Sequence, residues 1–184
     1  GGKERMARHR AETGFGPSDA EIATLHKDKT ARYGALIASG TVPLRPGVRA
    51  LIEHARTAGL RLAVATTTSR PNVDALIAAT FGQPAEAVFD VIAAGDEVAA
   101  KKPAPDVYRL ALSRLDLPPR AVVALEDSRN GLLSATAAGI ACIVSPSAYT
   151  EGEDFSGALT VTPAFADLGG IAGIATLLKE SLHV

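Results

Sequence analysis

The sequence predicts an α/β fold, a Rossmann-like parallel sheet with helices on both faces plus a small α-helical cap. Three observations carry that reading. From Val48 onward, short and near-continuous apolar runs alternate with helix-length stretches, the pattern of parallel strands covered on both faces. Residues 1–42 are polar and charge-dense and hold no convincing strand. Between these parts, Thr41-Val42-Pro43-Leu44-Arg45-Pro46-Gly47 gathers two prolines and a glycine, and proline disfavours helix for the residue before it. The chain therefore divides into a partial helical cap, 1–42, and a core, 43–184.

In the cap, Ile22, Leu25, Lys29, Leu36 and Ile37 recur at spacings that suit helices with one apolar stripe. The core opens with a helix from Val48 to about Ala58, stopped at Gly59. The strand Leu60-Arg61-Leu62-Ala63-Val64-Ala65 follows at once, then a helix near Pro71 to Thr80. A strand near Val88 to Ala93 precedes a helix from Pro105 to Leu115. Ala121-Val122-Val123-Ala124-Leu125 is fully apolar and reads as a buried strand, followed by a helix ending near Gly139 and the strand Cys142-Ile143-Val144. The stretch from Ile171 to Leu178 reads as a terminal helix docked on the sheet.

A chain of 184 residues can bury a real core. With 19 basic and 20 acidic residues its net charge is −1, so no polybasic footprint points to nucleic acid and the expected partner is a small molecule. The apolar runs are too short to cross a bilayer, and no signal segment opens the chain. The expectation is a monomer without a membrane partner, in a cytoplasm or a plastid stroma. Cys142 is the single cysteine; it excludes an internal disulfide and reads as a small buried hydrophobe. Because Gly1 stands where Met would begin a protein, the chain is expected to be a fragment or a processed product.

Three motifs carry the chemistry. In an open parallel sheet, ligands sit beyond the carboxyl ends of the strands, and the motifs lie at such ends or on the loops that follow. Thr66 closes a strand in Ala65-Thr66-Thr67-Thr68-Ser69, where its hydroxyl and the N–H groups of Thr67 and Thr68 would donate to phosphate oxygens; the alternative is that β-branched residues simply favour strands. Lys102 precedes Pro103 and Pro105 at a helix start, where the macrodipole disfavours a cation. A phosphate would compensate that charge, whereas a solvated lysine on a turn is the plainer alternative. Glu126 and Asp127 emerge together from the most hydrophobic strand, which cannot absorb two carboxylates without compensation. Oxygen-only ligands suit Mg²⁺; alternatively Asp127 or Ser128 caps the next helix. In the cap, Gly1-Gly2-Lys3-Glu4-Arg5 would grip a second phosphate through backbone donors and a guanidinium, or form a solvated helix face. Gly14-Phe15-Gly16 lacks the preceding strand of a dinucleotide fingerprint.

Taken in order, Thr66, Lys102 and Glu126-Asp127 resemble the second, third and fourth motifs of the haloacid-dehalogenase-like phosphohydrolase superfamily. Lys102-Pro103-Ala104-Pro105-Asp106 and Leu125-Glu126-Asp127-Ser128 look like its β-phosphoglucomutase-like branch. Gly1 to Met6, Ala65 to Ser69 and Cys142 to Pro146 resemble the CbbY-type sugar-bisphosphate phosphatases within it. The resemblance implies removal of one phosphate from xylulose-1,5-bisphosphate, an inhibitory by-product of Rubisco, with Mg²⁺ as cofactor. A phosphosugar mutase on the same scaffold and a non-catalytic phosphosugar-binding module are the alternatives. By the family pattern Thr66 and Lys102 hold the transferring phosphoryl group, Thr67 assists, and Asp127 with Glu126 serves the metal. Gly2, Lys3 and Arg5 would lie at the distal phosphate.

The resemblance also implies an Asp-x-Asp-Gly-Thr motif on a first strand, carrying the nucleophile and its acid–base partner. That motif does not occur in these residues. The family's first strand lies between the strand ending at Ala65 and the strand ending at Leu125, so the chain by itself is expected to be inactive, with an unfilled slot in its sheet. Poor stability or aggregation of the 184-residue chain follows from that slot. Differential scanning calorimetry checks it: the expected result is a broad or irreversible transition, and a sharp reversible one in a monomer sinks it.

Overall fold

The structure, a computed structural model, describes residues 2–181. Two helices, α1 (Gly2–Thr13) and α2 (Asp19–Ala38), come first. A capping box starts α2: Ser18 Oγ accepts from the Glu21 N–H, and the Glu21 carboxylate accepts from the Ser18 N–H at 2.8 Å. Arg10 staples α1 to that start, donating to Asp19 and to the Pro17 carbonyl.

The core runs α3 (Val48–Thr57), β1 (Ala63–Ala65), α4 (Arg70–Phe81), the single turn α5 (Ala85–Val88), β2 (Val91–Ala93), α6 (Asp106–Leu115), β3 (Val123–Glu126), α7 (Arg129–Ala137), β4 (Ala141–Val144), β5 (Thr160–Val161) and α8 (Gly170–Ser181). Every strand pair is parallel, as the alternation of strands and helices predicts. The strands nevertheless fall into two sheets, β1 with β2 and β3 with β4 and β5. Among the described residues β1 and β3 do not pair, and this break lies where the resemblance puts the first strand of the family. No helix among the described residues is long and apolar enough to cross a membrane.

Several boundaries differ from the expected ones for local reasons. Leu60 to Leu62 stay outside β1, since the Leu62 N–H is taken by the Asp90 carboxylate at 2.7 Å and Arg61 reaches the Leu115 carbonyl at 2.6 Å. Pro119–Ala121 forms a 3-10 turn rather than the start of β3, because Pro118 and Pro119 lack the N–H that a ladder needs. Val88 closes α5 instead of opening β2. β5 has two residues, too few to show a period in the sequence.

Packing on the two faces is unequal. On one face Ala65, Val91, Ala93, Ala124, Cys142 and Val144 share a continuous apolar cluster with α6 and α7, spanning both sheets. On the other, Val64 and Ile92 pack with α4 and with Ile52 of α3, while Val123 and Ile143 pack with Val48 and Leu51 of α3 and with α8, as two clusters that meet at α3. Leu125, between them on β3, is 38 % exposed. Burial holds the Cys142 thiol up at about 12, with the Glu126 charge as a further cause, so it stays protonated inside the core.

Arg45 fixes the connection from cap to core. Its guanidinium donates to the Ser145 carbonyl (2.6 Å), Ser145 Oγ (2.9 Å) and the Pro146 carbonyl (2.8 Å), just beyond β4. Gly47 follows at φ 84°, and a Cβ there would lie 2.5 Å from the Ala166 nitrogen, so only glycine fits.

The ladder contacts set the direction of each backbone group. Thr66 N donates to Ala93 O and Leu62 O accepts from β2, so Val64 faces β2 while Ala63 and Ala65 face the break. Ser145 N donates to Glu126 O, so Ala124 and Glu126 face β4 while Val123 and Leu125 face the break. In the 184-residue chain, amide hydrogen exchange at Ala63, Ala65, Val123 and Leu125 is expected to be much faster than at Val64, Ala124 and Glu126. Equal protection of the two sets would show that the break is closed.

Candidate functional site

The carboxyl ends of β1 and β3 point the same way, and a single side chain joins them. Lys102, in the loop between β2 and α6, donates from Nζ to the Ala65 carbonyl at 2.9 Å and to Glu126 Oε1 at 2.5 Å. Its ammonium also lies 4.8 Å from the centre of the Tyr108 ring. The side chains of Lys102 and Glu126 are 11 % and 8 % exposed, so the pair is almost out of water. Such a pair persists only with further hydrogen bonds. Ala65 supplies one to the lysine, and the Tyr108 hydroxyl donates to Glu126 Oε1. Burial first, and the Glu126 charge second, hold the Tyr108 hydroxyl well above its usual range, so it remains a donor.

The neighbouring chain segments are shaped to this pair. Gly131 in α7 leaves room for the Glu126 carboxylate; a Cβ there would stand within 1.9 Å of Glu126 Oε2. Ser128 caps α7, its Oγ accepting from the Gly131 N–H at 3.3 Å. Of the two residues that competed for that cap, it is therefore Ser128 that fills it, and Asp127 is left exposed. Among the described residues the Asp127 carboxylate makes no hydrogen bond or ion pair. At the end of β1, Thr66 Oγ1 accepts from the Thr68 N–H at 3.2 Å, which closes the turn; among the described residues the Thr66 hydroxyl proton has no acceptor. Thr67 is exposed beside it.

The structure thus brings Thr66, Lys102, Glu126 and Asp127 to one end of the two sheets. It does not present the two carboxylates as a pair of metal ligands. Glu126 is turned into the core as the counter-ion of Lys102, with Oε1 already holding two donors. Mg²⁺ takes one or two protein carboxylates and completes its shell with phosphate and water. Asp127, exposed, fits such a place more readily than the buried Glu126; among the described residues no group of three or more His, Cys, Asp or Glu gathers. Gly2 opens α1, and Lys3 and Arg5 are exposed on it. Among the described residues no hydrogen bond or ion pair joins them to the core cluster. Gly1 lies outside the described residues.

Two contributors escaped the sequence reading. Tyr108 stands on the buried stripe of α6 with Ala111, Leu112 and Leu115. The signal was its hydroxyl, which a buried tyrosine nearly always gives to a partner. Gly131 carries no signal without knowledge of where Glu126 points.

The chain matches the family model of the haloacid dehalogenase-like hydrolases over residues 1–139. It is 66 % identical over 158 residues to protein CbbY of Rhodobacter capsulatus, covering 86 % of this chain and 70 % of that protein. Among solved structures it resembles CbbY from Rhodobacter sphaeroides in complex with phosphate, at 57 % identity and a TM-score of 0.86, covering 95 % of this chain and 78 % of that one. A mutant of the same protein in complex with xylulose-1,5-bisphosphate matches at 58 % identity, also with a TM-score of 0.86, covering 94 % and 77 %.

The buried pair generates a direct test. Lys102→Met strands the Glu126 charge and is expected to cost about 3 kcal/mol in urea unfolding. Adding Glu126→Gln is expected to recover most of that loss; two additive losses would show that the charges do not depend on each other.

Proposed function

The chain belongs to the haloacid dehalogenase-like hydrolases, and on that premise we propose that the intact protein is a Mg²⁺-dependent phosphatase of sugar bisphosphates, with xylulose-1,5-bisphosphate as substrate. The observation that carries the reading is Lys102, a cation held nearly out of water at the joint between the ends of β1 and β3. The similarity to a CbbY protein solved with phosphate, and to its mutant solved with that bisphosphate, supports the choice of ligand.

Phosphoryl transfer asks a protein mainly for positioning and charge stabilisation. Of the three protons on the Lys102 ammonium, two go to Ala65 and Glu126, and the third is available to a phosphoryl oxygen. Glu126, buttressed by Tyr108, keeps the ammonium aimed there. The unused Thr66 hydroxyl proton and the Thr67 N–H donate to the same group. Asp127 would hold the metal, which when bound supplies charge neutralisation for the phosphoryl oxygens. Gly2, Lys3 and Arg5 on α1 take the distal phosphate in this reading.

The covalent step belongs to a strand seated between β1 and β3 in the intact protein. An aspartate oxygen on that strand attacks phosphorus as the bond from phosphorus to the sugar oxygen breaks. A second aspartate protonates the departing sugar oxygen, and water then releases phosphate from the aspartyl group.

Inorganic phosphate release by the intact protein on xylulose-1,5-bisphosphate tests this. Chelation is expected to abolish it and Mg²⁺ to restore it. Lys102→Ala, checked for folding by circular dichroism, is expected to lower kcat by about 10²–10³-fold. Turnover indifferent to that change overturns the reading. Conversion to an isomer with little free phosphate would assign the protein as a mutase instead.

A further inference from the structure

The segment after β4, from Ser145 to Asp154, turns back over the end of β3 and fastens to the turn that carries Asp127. Thr150 Oγ1 accepts from the Ser147 N–H at 2.9 Å and donates to the Asp127 carbonyl at 2.5 Å. Two residues on, the Arg129 N–H donates to Glu153 Oε2 at 2.6 Å. The Arg129 guanidinium donates to Asp154 Oδ2 at 3.0 Å and to the Asp154 carbonyl at 3.3 Å. The root of the segment is held in turn by Arg45, through Ser145 and Pro146.

These contacts have a common target. They pin the backbone on both sides of Ser128, while the Asp127 carboxylate itself stays exposed and, among the described residues, without a hydrogen bond or ion pair. At an exposed turn, water would satisfy the Asp127 carbonyl equally well, so the Thr150 hydroxyl contributes direction more than satisfaction. The Arg129 pair with Asp154 is exposed on both sides and adds little. Thr150 is half-buried and makes the short contact to Asp127 itself. A fixed backbone under a free carboxylate is how a metal ligand is kept in place before the metal arrives.

We infer that Thr150 is a positioning residue for Asp127, orienting its carboxylate for a divalent cation; the inference rests on the reading of Asp127 as the cation ligand. The hydroxyl acts through the peptide group of Asp127 and touches neither substrate nor metal. Replacement by an isosteric valine removes the donor and keeps the shape of the side chain, whereas serine keeps the donor.

The test is isothermal calorimetry of the intact protein with Mg²⁺ alone. Thr150→Val is expected to weaken Mg²⁺ binding about tenfold with an unchanged thermal midpoint, Thr150→Ser to restore it, and Asp127→Asn to abolish it. Wild-type affinity in Thr150→Val, with binding lost in Asp127→Asn, overturns the role of Thr150 and leaves the reading of Asp127 standing. Unchanged binding in Asp127→Asn overturns both. If Thr150→Val does not fold, Glu153→Ala, which removes the acceptor of the Arg129 N–H, probes the same turn from its other side: weakened Mg²⁺ binding supports the positioning role, and wild-type affinity overturns it.

Discussion

A lysine ammonium almost removed from water is the constraint to which the rest of this structure answers. Lys102 would be expensive to bury alone, and its cost is offset by three neighbours that come from three separate parts of the chain. Ala65 closes β1, Glu126 closes β3, and Tyr108 belongs to α6. To satisfy one charge, the fold must bring two strand ends and a helix face into register. The same demand therefore specifies the geometry of the carboxyl end of both sheets, where a phosphorylated ligand would be received.

The two layers of helices bear unequally on that end. The α6 and α7 side is one continuous apolar cluster, so it carries the relation between the two sheets. The opposite side is two clusters with Leu125 exposed between them, and there α3 alone contributes to both, with Ile52 in one and Val48 and Leu51 in the other. Lys102 sits where the continuous layer meets the break. α2 packs on α4, and beyond the first two helices Arg45 grips the carbonyls that follow β4.

Much of the fold was legible in the residues, because strand and helix periods differ and because Gly59, Gly139 and the paired prolines punctuate them. The places of Thr66 and Lys102 were legible too, since both stand where an apolar run or a proline turn defines a boundary. What could not be read was phase. Ala121 to Leu125 is apolar at every position, so it does not say which of the adjacent Glu126 and Asp127 turns inward. The pleat decides: Ala124 faces the α6 layer, Leu125 faces away, and Glu126 returns to the buried side. The slip at β1 has a similar cause, since the Asp90 carboxylate replaces a ladder partner and no local propensity reports that. Thr150 was invisible for a simpler reason: its partner lies 23 residues away in sequence.

Gly131 carries a consequence that reaches beyond this one chain. Because a Cβ at that position would overlap the Glu126 carboxylate, the two sites are not free to drift independently. Alanine or serine at 131 would force the Glu126 carboxylate to shift, and a shift would disturb the contact that it makes with Lys102. Three positions separated by 24 and 5 residues in sequence are therefore coupled through one carboxylate. A glycine that looks like a weak point in the helix is therefore a record of where the neighbouring charge lies.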